Sequence, residues 1–262
     1  MHSSNGSVLK KFKVMASMAL VVAVAAFAAH VGAAEILVWS AGAAKAPFSE
    51  VVQEYQKTTG NTIKIDYAPV GALMKKLADG GKPDVLLISM DVIQDVERNG
   101  WTVPGSSTPV GSIGVGIAVK EGASVPDISS PEALRNTLLN AKTITYMDPS
   151  KGTSGKHFAT VLTQLGVADQ VKGKTILGEG GFIVEPVARG EIELGIHQIT
   201  EILPVKGVHL VGPLPPTLQK VTTYTMALGA HASNVEVARE FMRFVKRDSF
   251  AAVFRAKGFS TP

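Results

Sequence analysis

Val85-Leu86-Leu87-Ile88 is an unbroken apolar run closed by Ser89, and it narrows the choice of fold more than any other stretch of the chain. A strand that shows one face to water alternates apolar and polar residues. A strand that is apolar throughout is covered on both faces, as a central parallel strand is between layers of helices. The neighbouring segments supply those layers. Glu35 to Trp39 reads as a buried strand, and Phe48, Val51, Val52 and Tyr55 recur at helical spacing after it. That helix starts near Pro47, where the missing N–H costs nothing, and stops at Gly60. Thr62 to Tyr67 alternates as a second strand, Ala72 to Ala78 forms a short helix, and Asp91 to Asn99 another. The resulting β-α-β-α-β-α order predicts an α/β unit with helices on a mostly parallel sheet.

The pattern changes after residue 103. Pro104 to Ser112 is rich in Pro, Gly and Ser and has no helical period, and it leads into an alternating strand, Ile113 to Val119. A second α/β series follows, with helices near Pro131 to Leu139 and Lys156 to Leu165 and strands at Thr143 to Tyr146, Lys174 to Leu177, Leu194 to His197 and His209 to Val211. The chain then returns through Pro213-Leu214-Pro215-Pro216 to a strand, Thr222 to Leu228, and ends in helices from about Asn234 and around Phe250 and Phe254. Two α/β series joined by two extended crossings predict two lobes, 35–111 plus 224–262 and 112–223, with a cleft between them. Hinges are expected near Thr108 to Ile113 and Lys220 to Tyr224. Ligands of such sheets bind outside the carboxyl ends of the strands.

Residues 1–34 read as an export signal: Lys10, Lys11 and Lys13, then the uncharged apolar stretch Val14 to Ala28, then Gly32-Ala33-Ala34 as a cleavage site before Glu35. A retained membrane anchor is the alternative, since about 20 apolar residues cross a bilayer. The 262-residue chain has no cysteine, which excludes disulfides, thiolate metal sites and a lipid-anchored form. Its formal charge of +4 falls to about +1 without the three lysines of the signal, and the remaining basic residues are scattered. Nucleic-acid binding, which needs a clustered basic stripe, is not expected.

Four Gly/Ser-rich turns stand before helical patterns: Ser40-Ala41-Gly42-Ala43-Ala44, Pro69-Val70-Gly71, Lys151-Gly152-Thr153-Ser154-Gly155 and Gly178-Glu179-Gly180-Gly181. Helix starts carry free N–H groups and partial positive charge, so each turn is a candidate anion cradle. The third turn is not a P-loop, because Ser150 and His157 stand where that motif needs Gly and Ser or Thr. Nor is it a nucleophile elbow, because Lys156 replaces the second glycine. It reads as a donor cluster of the Ser154 hydroxyl, the backbone N–H groups to Lys156, and the Lys156 charge, with His157 either a contributor or a half-exposed bystander. Gln198 follows a buried strand and is a candidate donor. His209 and His231 read as surface or strand-end residues, and Asp84 and Asp148 as turn residues. No metal-ligand spacing and no nucleophile–base–orienter set is visible, so neither an enzyme nor a cofactor is expected.

These segments resemble the molybdate-binding periplasmic proteins of ABC importers, members of the type II periplasmic binding protein superfamily. The resemblance rests on the strand and Ser-Ala-Gly-Ala turn, Lys82 to Ser89, Asp148-Pro149 to Gly155, Leu194-Gly195-Ile196 and Gly207 to Pro215, and it spans nearly the whole chain after residue 34. It implies a two-lobed protein, each lobe a mixed sheet flanked by helices, that closes on a small anion and delivers it to a permease in the inner membrane. It also implies a monomer in the periplasm. The site residues it implies lie near Ser40, Gly42 and Ala43 in the first turn, Val70 and Gly71 in the second, Ser154 in the third, and Gly180 and Gly181 in the fourth, with Gly155, Lys156 and His157 added by the donor-cluster reading of the third turn. Gln198 stands where the family often has a tyrosine. A molybdate- or tungstate-type oxyanion is the first expectation for the solute. An organic polycarboxylate, or a sensor role in place of transport, is the alternative.

Overall fold

The computed structural model describes residues 33–260. The export-signal stretch falls almost wholly outside the described residues, and among the described residues no helix is long and apolar enough to cross a membrane. From Glu35 onward the chain is one compact unit built on two five-stranded sheets.

The first sheet takes the strands β1 (Glu35–Ala41), β2 (Thr62–Ala68), β3 (Val85–Ser89) and β4 (Thr108–Ile113). Helices α1 (Lys45–Thr59), α2 (Val70–Ala78) and α3 (Ile93–Arg98) connect the first of these. Gly60 ends α1 in the left-handed region, at φ 76°, as a helix stop requires. The chain crosses to the second sheet at Gly114 and builds β5 (Val115–Lys120), α4 (Pro131–Asn140), β6 (Ile144–Met147), α5 (Thr153–Gln164), α6 (Ala168–Lys172), β7 (Thr175–Gly178), α7 (Glu185–Arg189), β8 (Leu194–Gln198), α8 (Ile199–Ile202) and β9 (Val208–Pro213). It returns through residues 214–221 to β10 (Thr222–Leu228), and finishes with α9 (Val235–Val245) and α10 (Ala251–Ala256).

The strand orders are β2-β1-β3-β10-β4 and β7-β6-β8-β5-β9. In each sheet three parallel strands are followed by one antiparallel strand, β10 or β5. In both cases that strand belongs to chain just arrived from the other sheet. β3 is fully buried along its length, as its apolar run demands. Removing each such side chain from water contributes about 1.5–3 kcal/mol. Helix α9 covers the first sheet together with α1, and the Tyr55 ring meets those of Phe241 and Phe244 edge-on at 5.2 and 5.1 Å. Asp84 is a tie between elements: its carboxylate accepts from the Leu37 amide at 2.6 Å and from the Ser233 hydroxyl at 2.8 Å.

Two local expectations are corrected. The passage Pro104 to Ser112 contains most of a strand, β4, which pairs with β10 at the edge of the sheet and bridges to Ser260. Pro109 lacks an N–H, and an edge strand with a register shift opposite Tyr224 and Thr225 tolerates that. The Gly178 to Gly181 turn does not lead straight into a helix; α7 begins only at Glu185 and runs five residues.

Candidate functional site

The carboxyl ends of the parallel strands in the two sheets face a shared cavity of about 120 Å³. A single water needs only about 10–15 Å³, so the space suits a solute of many atoms. One wall comes from the first sheet: Gly42 and Ala43 after β1, Lys45 opening α1, Tyr67 at the end of β2, and Val70 opening α2. The other comes from the second: Thr153 and Ser154 opening α5, Gly181 and Phe182 after β7, and His197, Gln198 and Glu201 at the end of β8. Tyr224 enters from β10.

Two of the described α-helices carry a side-chain cap. α4 is capped by the Ser130 hydroxyl, which accepts from the Ala133 amide at 3.0 Å, and α9 by Asn234, which accepts from Val237 at 3.1 Å. Like α3, α6, α7, α8 and α10, the helices that open on the cavity, α1, α2 and α5, have no side-chain cap. Their first-turn N–H groups and positive dipole ends therefore face the space where a solute would sit. One donor is already committed: the Gly71 amide donates to the Lys151 carbonyl at 3.0 Å, joining α2 to the turn before α5.

Of the residues expected from the sequence, Gly42, Ala43, Val70, Ser154, Gly181 and Gln198 line the cavity. Ser40, Gly71, Gly155, Lys156, His157 and Gly180 are not among its lining. Ser40 is fully buried and donates to the Ala41 carbonyl at 3.1 Å. Gly155 lets α5 press on β6: a Cβ there would stand 2.0 Å from the Met147 carbonyl oxygen. Lys156 is exposed. His157 turns to the return segment, its Nε2 2.8 Å from the Leu218 carbonyl, and burial lowers its pKa. Gly180 abuts Pro69.

The structure adds residues that the sequence reading passed over. His197 is buried, with Nε2 3.2 Å from the Gly181 carbonyl and 3.4 Å from Glu201 Oε2, and Nδ1 3.2 Å from Ser154 Oγ. A carbonyl only accepts, so Nε2 carries the proton, and in the neutral ring Nδ1 accepts from Ser154. A hydroxyl, an imidazole and a carboxylate, whose proximity no sequence spacing displays, stand side by side along the cavity wall. Glu201 is 6 % exposed, and its Oε1 lies 3.0 Å from where a Cβ on Gly42 would stand. Tyr224, whose pKa burial pushes up, places its hydroxyl 3.2 Å from Thr153 Oγ1 and 3.5 Å from Gln198 Nε2. β10 thus brings a phenol to the end of β8, where the family resemblance sets a tyrosine. Lys45 lies 5.3 Å above the Phe182 ring and has no carboxylate partner among the described residues. Gln198 Oε1 and the Tyr67 hydroxyl are buried without a hydrogen bond there, and burial raises the Tyr67 pKa. No cluster of potential metal ligands occurs among the described residues.

Two mixed sheets with a cavity between their strand ends, bordered by uncapped helix starts, define a two-lobed binding-protein fold. The periplasmic molybdate-binding protein of Azotobacter vinelandii has the same fold, with a TM-score of 0.73 over 87 % of this chain and 99 % of that one at 17 % identity. The chain belongs to the bacterial extracellular solute-binding protein family, whose model matches residues 36–260. Among curated relatives, a Pseudomonas aconitate isomerase is 29 % identical over 85 % of this chain and 86 % of its own length. The molybdate-binding protein ModA of Escherichia coli is 25 % identical over 86 % of this chain and 89 % of its own.

Proposed function

We propose that the chain captures a small organic polycarboxylate, a tricarboxylate of the aconitate kind foremost, between lobes 35–111 plus 224–262 and 112–223. In this reading it is the monomeric extracytoplasmic component of an ABC importer, working in the periplasm with a membrane permease after loss of residues 1–34. The observation that carries the choice of solute is the mixed charge of the cavity wall, with the unpaired Lys45 on one side and the buried Glu201 on the other. A compact tetrahedral dianion keeps its whole charge near that carboxylate wherever it sits. Two unit charges 4 Å apart repel by about 4 kcal/mol at an effective dielectric of 20. An extended molecule avoids this by turning carbon toward Glu201 and carboxylates toward Lys45 and the helix starts. The apolar parts of Tyr67, Val70 and Phe182 supply surface for its carbon skeleton. The relative named aconitate isomerase supports the same solute class.

A molybdate-type oxyanion is the second reading, favoured by the three uncapped helix starts and the molybdate-binding relatives. Calorimetric titration with cis- and trans-aconitate, citrate, molybdate, tungstate and sulfate separates the two. Micromolar binding of a tricarboxylate without heat from the oxyanions is the expected result. Molybdate binding more tightly than every carboxylate overturns it.

A further inference from the structure

We propose that the cavity also performs chemistry on its solute: Glu201 is a general base that shifts a proton along an unsaturated polycarboxylate and so interconverts its cis and trans forms. The inference rests on the polycarboxylate reading above. A site that only binds anions gains nothing from a carboxylate in its wall, because that charge weakens every anionic solute. Here the carboxylate is buried and lines the cavity, and among the described residues His197 Nε2 approaches it to 3.4 Å. His197 is in turn held at both ring nitrogens, by the Gly181 carbonyl and by Ser154. Such a chain fixes the direction of the carboxylate, and a positioned, poorly solvated carboxylate is a competent base. His197 and Ser154 are positioning residues in this scheme.

The reaction balances without any co-reactant. Glu201 takes a proton from the methylene that lies between a carboxylate and the carbon–carbon double bond. The electron pair left behind spreads over the three allylic carbons and the adjacent carboxylate. The same proton returns from Glu201 to the far alkene carbon, the double bond moves by one position, and Glu201 is again a carboxylate. The new double bond forms along the former single bond and keeps the conformation held there when the proton left, so the conformation in which the solute is bound about that bond decides between cis and trans. Lys45 and the uncapped start of α2 lie on the opposite wall, where the added negative charge of the intermediate can be offset. The unpartnered Gln198 Oε1, 1 % exposed as a residue, marks a further polar contact kept free for the solute.

The test pairs turnover with binding. The purified protein is incubated with trans-aconitate, and separately with cis-aconitate, and the appearance of the other isomer is followed by proton NMR. Calorimetry measures affinity for the same acids. The wild-type protein is expected to form the opposite isomer from either acid. Glu201→Gln is expected to slow that conversion by at least 100-fold while tightening tricarboxylate binding several-fold, since the repelling charge is gone. A folding defect would weaken binding instead, and His197→Asn, which keeps Glu201 but loosens it, is expected to lower kcat with little change in KM. Tricarboxylate heat with no isomer formed overturns this proposal and leaves the binding reading standing. So does a Glu201→Gln variant that keeps a tenth or more of the rate. Absence of heat with any tricarboxylate overturns both.

Discussion

Lys45 is the cation at the cavity mouth with no acidic partner among the described residues, stacked at 5.3 Å on Phe182. A charge-assisted contact to a carboxylate contributes about 1.5–3 kcal/mol, so Lys45→Met is expected to weaken tricarboxylate binding by roughly 10- to 100-fold in calorimetry. The thermal midpoint of the solute-free protein should stay within a degree or so, because an exposed side chain with no ion pair adds little to stability. In the sequence this lysine is one of several scattered basic residues, and nothing local marks it. The same holds for His197 and Glu201. They are four residues apart, which on one helix would bring them together, yet one ends a strand and the other lies in the short helix after it. Ser154 reaches them across 43 positions. The Gly42, Ala43, Val70, Ser154, Gly181 and Gln198 positions carried a local signal, a Gly/Ser-rich turn or a polar residue closing an apolar run. Those are the parts of the cavity wall that could be read beforehand.

At the scale of elements, periodicity carried most of the fold. Continuous burial named β3, helical spacing named α1 and α5, and Gly60 stopped α1 where a left-handed residue is needed. β4 escaped because Pro109 and its Gly and Ser neighbours look like a loop, and an edge position removes the penalty that would forbid them. The short helices α6, α7 and α8 escaped because four or five residues give no period to detect. The Ser130 cap of α4 gives a test of its own. Ser130→Ala removes the α4 cap, costs about 1 kcal/mol, and should lower the thermal midpoint by roughly 2–4 °C for a domain of this size. Solute affinity should not change, since α4 starts away from the cavity. A loss of affinity would show that helix position, and not the free helix starts, governs binding.

For the whole molecule, contacts between the strand-end turns draw the two sheets together. The Gly71 amide meets the Lys151 carbonyl at 3.0 Å, and Lys220 pairs with Asp91 at 2.6 Å. Both members of that pair are half exposed, so the bond is worth at most about 1 kcal/mol. Asp91→Ala is expected to raise the dissociation constant no more than about fivefold. Closure about Gly114 and residues 214–221 should appear in solution scattering as a smaller radius of gyration on saturation with tricarboxylate. An unchanged radius would mean that the solute enters without hinge motion.

The placement of β10 has a further consequence for how the chain is assembled. It lies between β3 and β4, yet it is made more than a hundred residues after both. The whole second sheet, residues 115–213, is complete before it exists. Until Thr222 to Leu228 emerges, the inner edge of β3 carries unpaired backbone groups along an unbroken apolar strand. The first half of the chain is therefore obliged to wait for the last, and in that interval its exposed edge is the place where a wrong strand could pair.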